Sequence, residues 1–532
     1  MTSTNSDGFA RRWWTLVVLS LSLLVIALDN TILNVALPTL VTELDASGSQ
    51  LQWIVDSYVL VFAGLLLVMG SLGDRYGRKL ALYSGFAVFG LASLAAAYAG
   101  SSGMLIATRA VMGIGGALIM PATLSILVNV FPREERAKAI AIWSAVAGVG
   151  VPLGPVVGGW LLDHFWWGSI FLVNVPIIIG AMVAGFWLVP ESKDEDAARI
   201  DIPGGILSIA GLTALLYGII EAPDTGWLDP MTLAAFGIAA VLLAGFIAWE
   251  VRTPEPMLRI DFFRNMRFTA GAASISLVFF ALFGSIFLLT QYLQFVIGYT
   301  PFEAGLRMLP VAVGIGLGTG LSTRLVQKIG SKLVVFGGLT IVSLALLYAT
   351  TLDVNSGYLA IATLFVLFGF GMGNTMAPAT DSIMGSIPQA NAGVGSAVND
   401  TTRQVGGAMG VAILGSLFST FFASEMSGAI AGLPEPQARM AQDSIGSALG
   451  VAHQIGGEPG RLLVEAANAG FVEAMGVAFM AAAAVAFAGA LVSLAFLPLA
   501  SSDRMNRRWR RLNWRNSASY RNRRLCGRDS GS

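Results

Sequence analysis

The chain has 532 residues, of which 55% are hydrophobic and 12% charged, with a formal net charge of zero and a mean hydropathy of +0.72. No soluble domain of this size needs so much apolar side chain to fill its core, so the composition leaves a polytopic, lipid-embedded protein. The lone Cys526 excludes a disulfide framework, the missing Gly-Lys pair excludes a phosphate-cradling ATP loop, and two distant histidines, His164 and His453, argue against an enzyme.

Apolar runs of roughly 20 residues, enough to cross a ~30 Å hydrocarbon core, recur along the chain. About fourteen are predicted, near 13–37, 51–72, 80–99, 104–130, 138–162, 169–189, 202–220, 231–249, 268–297, 304–326, 333–351, 358–386, 398–424 and 471–499. The cations sort onto one side of this count. Arg11 and Arg12 precede the first span, and the even-numbered loops hold Arg75, Arg78, Lys79, Arg133, Arg136, Lys138, Lys193, Arg199, Arg252, Arg259, Arg264, Arg267, Arg324, Lys328 and Lys332. The odd-numbered loops hold Arg439 and Arg461, both in one long outer segment. By the positive-inside bias both termini are cytoplasmic, and the protein is expected in the cell's inner (cytoplasmic) membrane. Arg11-Arg12 before an apolar stretch is read as the start of the first span and not as a signal peptide.

Charges inside a bilayer are expensive, so those that survive there are functional candidates. Asp29 lies in span one, Asp56 in span two and Arg109 at the start of span four. Counting 1.5 Å per residue puts Asp56 and Arg109 about 8 Å below the outer face, with Asp29 about 25 Å above the inner one. A carboxylate at such depth is pulled between desolvation, which favours its protonated form, and a nearby cation, which favours the anion. Proton and cationic ligand can then compete for it. A structural helix-to-helix hydrogen bond is the alternative reading of Asp29, and holding helices together is the alternative for Arg109.

Between spans two and three, Gly70 to Lys79 is expected to be a ten-residue turn, with Gly70, Gly73 and Gly77 allowing a tight reversal and Asp74, Arg75, Arg78 and Lys79 clustered on it. Span five carries Gly148, Gly150, Pro152, Gly154, Pro155, Gly158 and Gly159; its small residues at four-residue spacing make a face for close helix packing that could seal a cavity on one side. Trp53, Tyr58, Phe62 and Trp143 could receive flat cationic cargo by cation–π contact, or serve as interface anchors and lipid-facing bulk.

In the carboxyl half, the stretch from Arg324 to Lys332 weakly echoes the loop after span two. Gln291, Tyr292, Gln294, Arg307, Asp381, Asp400 and Arg403 are further polar groups, Asp400 and Arg403 being three apart on a helix and able to neutralise one another. The echo divides the chain into an amino-terminal six-helix bundle (1–200), two inserted helices with a linker (201–267), a carboxyl-terminal six-helix bundle (268–500) and an Arg-rich tail (501–532). The outer segment 423–470 is expected to form short surface helices. Ten arginines in the tail, interleaved with Trp509, Trp514 and Tyr520, suit anionic lipid headgroups better than nucleic acid.

The Gly70–Lys79 loop, the Asp29 and Arg109 segments and the glycine- and proline-rich span five resemble the signature motifs of the major facilitator superfamily. With fourteen spans, and with Tyr292-Leu293-Gln294 through Gly298-Tyr299 to Leu309-Pro310, the chain is similar to the fourteen-span drug:proton antiporters of the multidrug and quaternary-ammonium type. The resemblance implies an all-α major facilitator fold of two six-helix bundles plus two central helices, with the Asp74 loop as a cytoplasmic lock between halves. It implies proton coupling at Arg109, export marked by the span-five motif, and an acidic pair, Asp29 and Asp56, for cationic cargo. Met112 stands where the family often has glutamine and Asp400 where it often has asparagine, so Asp400 adds a cation or proton site. The expected function is proton-coupled export of amphipathic, cationic drugs or dyes by alternating access, by a monomer with no cofactor beyond the proton gradient. Export of a lipid or self-made antibiotic, and uptake by symport, are the alternatives.

Overall fold

The computed structural model describes residues 11–193, 201–254, 256, 258–387 and 392–497. The linker residues 194–200 and the tail 498–532, on which the lipid-headgroup reading rests, lie outside them. Hydrocarbon offers backbone groups no water, so each crossing must satisfy its own ladder, and the described chain is accordingly helical.

The first half contains α1 (Arg12–Glu43), α2 (Gly48–Tyr76), α3 (Arg78–Ala97), α4 (Ser102–Val130), α5 (Arg133–His164), a one-turn α6 (Ser169–Leu172) and α7 (Asn174–Leu188). The inserted pair is α8 (Ile202–Thr225) and α9 (Pro230–Arg252). The second half contains α10 (Met266–Gln291), a π turn over Tyr292–Val296, α11 (Pro301–Arg307), α12 (Pro310–Ala349), α13 (Tyr358–Met384), α14 (Ala392–Met426), the short α15 (Glu435–Asp443) and α16 (Ile445–Ile455), and α17 (Gly457–Phe496). Local chemistry sets several starts. Ser47 with Gln50, and Thr300 with Glu303, form capping boxes, while Ser101, Asp201, Asp229 and Ser444 each accept a first-turn N–H.

Among the described residues, twelve segments are long and apolar enough to cross a membrane, where fourteen were expected. The difference arises at two places. The glycine- and proline-rich α5 is not among the twelve, and Pro301–Ala349 counts as one segment. Within it the chain nevertheless reverses at Gly330, whose φ of 82° and ψ of 160° are non-helical. Gly318 abuts the carbonyl of Phe370 and Gly338 that of Gly371, so residues 20 apart in α12 lie against one point of α13, which a straight helix could not do.

The expected ten-residue turn at 70–79 is also corrected. Gly70 to Tyr76 is the last part of α2, Arg78 opens α3, and the reversal is confined to Gly77 at φ 129°. A single residue suffices because glycine reaches that backbone region without a Cβ clash. The outer segment does form short helices, α15 and α16, before α17 begins at Gly457.

Each half packs on itself, through α1 with α5 and α2 with α4 in the first, and α10 with α14 and α12 with α13 and α17 in the second. The halves meet where α2 faces α14 and where α5 faces α11, and α8 lies against both α2 and α14. Among the described residues, side-chain hydrogen bonds crossing between halves lie at the end of the bundle away from Arg11 and Leu497, here the distal end. Gln294 Nε2 donates to the Val35 carbonyl at 2.8 Å, and Thr300 Oγ1 to Asp163 Oδ2 at 3.1 Å. Backbone contact is tightest there too. A Cβ on Gly159 would run into Pro301 and Phe302, and one on Gly305 into the Pro155 carbonyl. At the other end Arg12 pairs with Glu135 at 2.7 Å inside the first half and Arg267 with Asp381 at 3.7 Å inside the second.

Candidate functional site

Asp29, Asp56 and Arg109 come from three helices and are all sealed from solvent, at 0%, 0% and 1% exposure. Arg109 Nη1 donates to Asp29 Oδ2 at 2.5 Å, its Nε donates to the Ile54 carbonyl at 3.2 Å, and its guanidinium lies 4.3 Å from the centre of the Tyr58 ring. The sequence-predicted acid and base are thus one buried ion pair. Leaving either partner alone in such a place costs several kcal/mol, on the order of 3–5.

A third side chain, absent from the sequence-level candidates, completes this group. Asn174, in the first turn of α7, is buried and donates through Nδ2 to Asp29 Oδ1 at 3.1 Å and to Ser93 Oγ at 3.4 Å. In the sequence Asn174 is an uncharged amide in Val173-Asn174-Val175-Pro176, and its signal is that of a polar side chain in an apolar run. Tyr58, considered above as a cargo aromatic, is instead occupied under Arg109 and stacks on Phe62 at 5.7 Å. Trp53 Nε1 donates to Glu221 on α8 at 2.9 Å, and Trp143 is buried in α5.

Asp56 lies apart from this pair. Both its carboxylate oxygens are buried without a hydrogen-bond partner among the described residues. One turn earlier Gln52 packs against Gly415 of α14, so this face of α2 lies on the seam between the halves. A buried, unpartnered carboxyl is costly, and function is the usual reason such a group persists.

The glycine stripe of α5 holds the Asp29 region in place. Gly150 meets Ala27 and Leu24, Gly154 meets Thr31, and Gly158 meets Ile32, so side chains here would push α1 away from its neighbours. Gly159 turns instead to Pro301 of the second half. Pro152 and Pro155 lie inside the same helix, as does Gly148. Asp400 and Arg403 are 3.8 Å apart, Arg403 also reaching Thr380 Oγ1 at 3.3 Å, and neither is bonded to the Asp29 group.

The charged loop at the α2–α3 junction acts within the first half. Arg78 Nε pairs with Asp74 at 2.7 Å, the Arg78 N–H donates to the Ser192 carbonyl, and Lys79 Nζ donates to the Phe186 carbonyl at 3.0 Å. Gly70 abuts Pro121 and Gly73 abuts Ala81. Among the described residues these contacts tie α2, α3 and the end of α7 together.

At the distal end, Asp443 of α15 sits beside the start of α2. Burial pushes its carboxyl up to about 6, the Asp224 carboxylate facing it adds to the rise, and the Gly48 N–H pulls the other way.

Curated relatives and solved structures agree with this architecture. The chain is 38% identical over 463 residues to the multidrug efflux pump LfrA of Mycolicibacterium smegmatis, covering 87% of this chain and 91% of that protein. It is 35% identical over 466 residues to the methyl viologen resistance protein SmvA of Salmonella typhimurium, covering 87% and 93%. To the tetracenomycin C resistance and export protein of Streptomyces glaucescens it is 34% identical over 411 residues, covering 77% and 76%. The fold matches an inward-facing, unoccupied bacterial homologue of the human lysosomal transporter Spinster with a TM-score of 0.65 at 18% identity, covering 94% of this chain and 99% of that one. It also matches the inward-open xylose transporter XylE from E. coli with a TM-score of 0.55 at 14% identity, covering 92% and 98%. The sequence profile of the Major Facilitator Superfamily matches residues 19–411, and the chain belongs to that family of transporters.

Proposed function

We propose that this transporter exports amphipathic, cationic drugs or dyes across the cytoplasmic membrane in exchange for protons. The observation that carries the reading is the contrast between an acid saturated by Arg109 and Asn174, Asp29, and an acid left without partners on the seam, Asp56. When the distal, outer end opens, protons load the acids and cargo leaves; when it closes, the protons pass to the cytoplasm. The halves then rock against each other around a site near the midplane. Similarity to the multidrug efflux pump LfrA supports drug export, and similarity to the methyl viologen resistance protein SmvA supports cationic cargo, methyl viologen being a dication.

In this reading there are fourteen crossings, because α5 and the two arms of α12 on either side of Gly330 each span the bilayer. They form bundles of six at 1–200 and 268–500, with α8 and α9 between them and both termini cytoplasmic. Gly159 and Gly305 serve as the outer seal, Asp400 as an accessory proton or cation site, and the Asp74–Arg78 loop as the inner lock once the inner end closes. The arginine tail lies on anionic headgroups, the protein works as a monomer, and the proton gradient is its sole energy source.

Purified protein in liposomes, given a pH step and a panel of uncharged, singly and doubly charged fluorescent compounds, tests this reading. Cargo must move against the proton flow, and movement in the same direction would make it an uptake symporter. Similarity to the tetracenomycin C resistance and export protein favours a second reading, export of one particular antibiotic, which a strong preference for a single uncharged compound would establish.

A further inference from the structure

We propose that Asn174 is the hydrogen-bond relay of Asp29, its amide donating to the ionised carboxylate and turning over to accept from the protonated one. This rests on the reading of Asp29 as the proton-loaded acid. As placed, Asn174 Nδ2 donates to Asp29 Oδ1 at 3.1 Å, the arrangement an anion requires, while Asn174 Oδ1 is buried with no partner among the described residues. A carboxyl that gains a proton becomes a donor, and an amide NH2 cannot accept from it. Rotation of the amide by half a turn exchanges its nitrogen and oxygen and brings the idle carbonyl to the place where the Asp29 O–H must donate.

The surroundings suit both states. Ser93 Oγ, 3.4 Å from the same amide position, accepts from the NH2 in one orientation and donates to the carbonyl in the other, since a hydroxyl does either. Each orientation leaves one amide atom unpaired, so neither is strongly preferred, and the state of Asp29 decides between them. Arg109 keeps the Ile54 carbonyl and the Tyr58 ring when its carboxylate partner is neutralised. Arg109 from α4 is the charged group that faces Asp29; Tyr58 from α2 is the titratable group beside it, and α3 and α7 present uncharged Ser93 and Asn174. An external hydronium ion loses one O–H bond as the O–H at Asp29 forms and leaves as water; on the inner side the Asp29 O–H breaks as the proton bonds to a cytoplasmic water.

The test measures efflux of a fluorescent cation from liposomes as a function of imposed pH for wild type, Asp29→Asn, Asn174→Leu and Asn174→Asp. Asn174→Leu keeps the bulk and removes both hydrogen-bonding roles; its pH midpoint should move and its optimal rate should fall about tenfold, the equivalent of one hydrogen bond to a charged group. Asn174→Asp keeps the shape, and its pH profile should resolve into two steps, because two carboxyls at hydrogen-bond distance titrate as a pair. If Asn174→Leu inserts poorly, the aspartate variant decides alone. Wild-type profiles in the inserted variants, together with loss of coupling in Asp29→Asn, would overturn the relay. Coupled efflux surviving Asp29→Asn would instead overturn the role of Asp29 on which it rests.

Discussion

Asp29 and Asp56 are the same residue type, both fully enclosed, on adjacent helices of one half, and their surroundings are opposite. Asp29 is met by a guanidinium and an amide, whereas Asp56 has no hydrogen-bond partner among the described residues. Burial alone does not define a transport acid. The partnered carboxylate is stabilised where it stands by the guanidinium and the amide; the unpartnered one has no such bond to lose and lies on the face of α2 that meets the other half.

The largest expected effect breaks the first member of this comparison. Asp29→Asn should slow proton-coupled efflux about a hundredfold, equivalent to roughly 3 kcal/mol in barrier, while the protein still inserts. It should also lower the thermal midpoint in detergent, because Arg109 loses its buried counter-charge. Asp56→Asn should do the reverse on stability, leaving the midpoint unchanged or raised, since no bond is lost at an unpartnered site. Its efflux of doubly charged cargo should fall about tenfold with singly charged cargo little affected, as fits the loss of about 1.4 kcal/mol of one charge interaction. Equal loss for both classes of cargo would show that Asp56 does not read charge.

The dryness of Asp56 should depend on the distal seal. Gly305→Val drives a side chain into the Pro155 carbonyl and should hold that end ajar, raising carbodiimide labelling of Asp56 severalfold while labelling of Asp29, inside one half, stays put. Similar labelling of both acids would contradict the placement of Asp56 on the seam. The smallest effect belongs to Asp443, an acid outside the membrane. Its folded value is raised to about 6, so its contribution to stability is present when it is protonated and is lost as pH rises through about 6. Asp443→Asn should therefore raise the thermal midpoint by about 1–3 °C at pH 7.5 and leave it unchanged at pH 4.

Much of the architecture was legible in the chain because hydrocarbon imposes a length and a polarity on each crossing. Asp29, Asp56 and Arg109 stood out for the same reason, as charges in apolar runs. Other features were hidden. The charges from Asp74 to Lys79 suggest a ten-residue turn, yet the helix runs on through Tyr76 and the reversal takes only Gly77, because charged residues at a helix end can continue the helix. Asn174 escaped because its importance depends on standing beside Asp29, 145 positions away.

The amino-acid sequence by itself determined that this is a helical membrane protein, which helices carry ions, and where glycines permit close approach, because those follow from local composition and spacing; that it is a transporter was carried by the resemblance of its motifs to the major facilitator superfamily. Only the tertiary structure decided which acid is paired and which is not, that Gly159 and Gly305 each lie against backbone of the other half while Gly150, Gly154 and Gly158 lie against α1, and that Lys79 and Arg78 bond within their own half. Those outcomes depend on which helix faces come together, and a one-dimensional pattern carries the faces but not their partners.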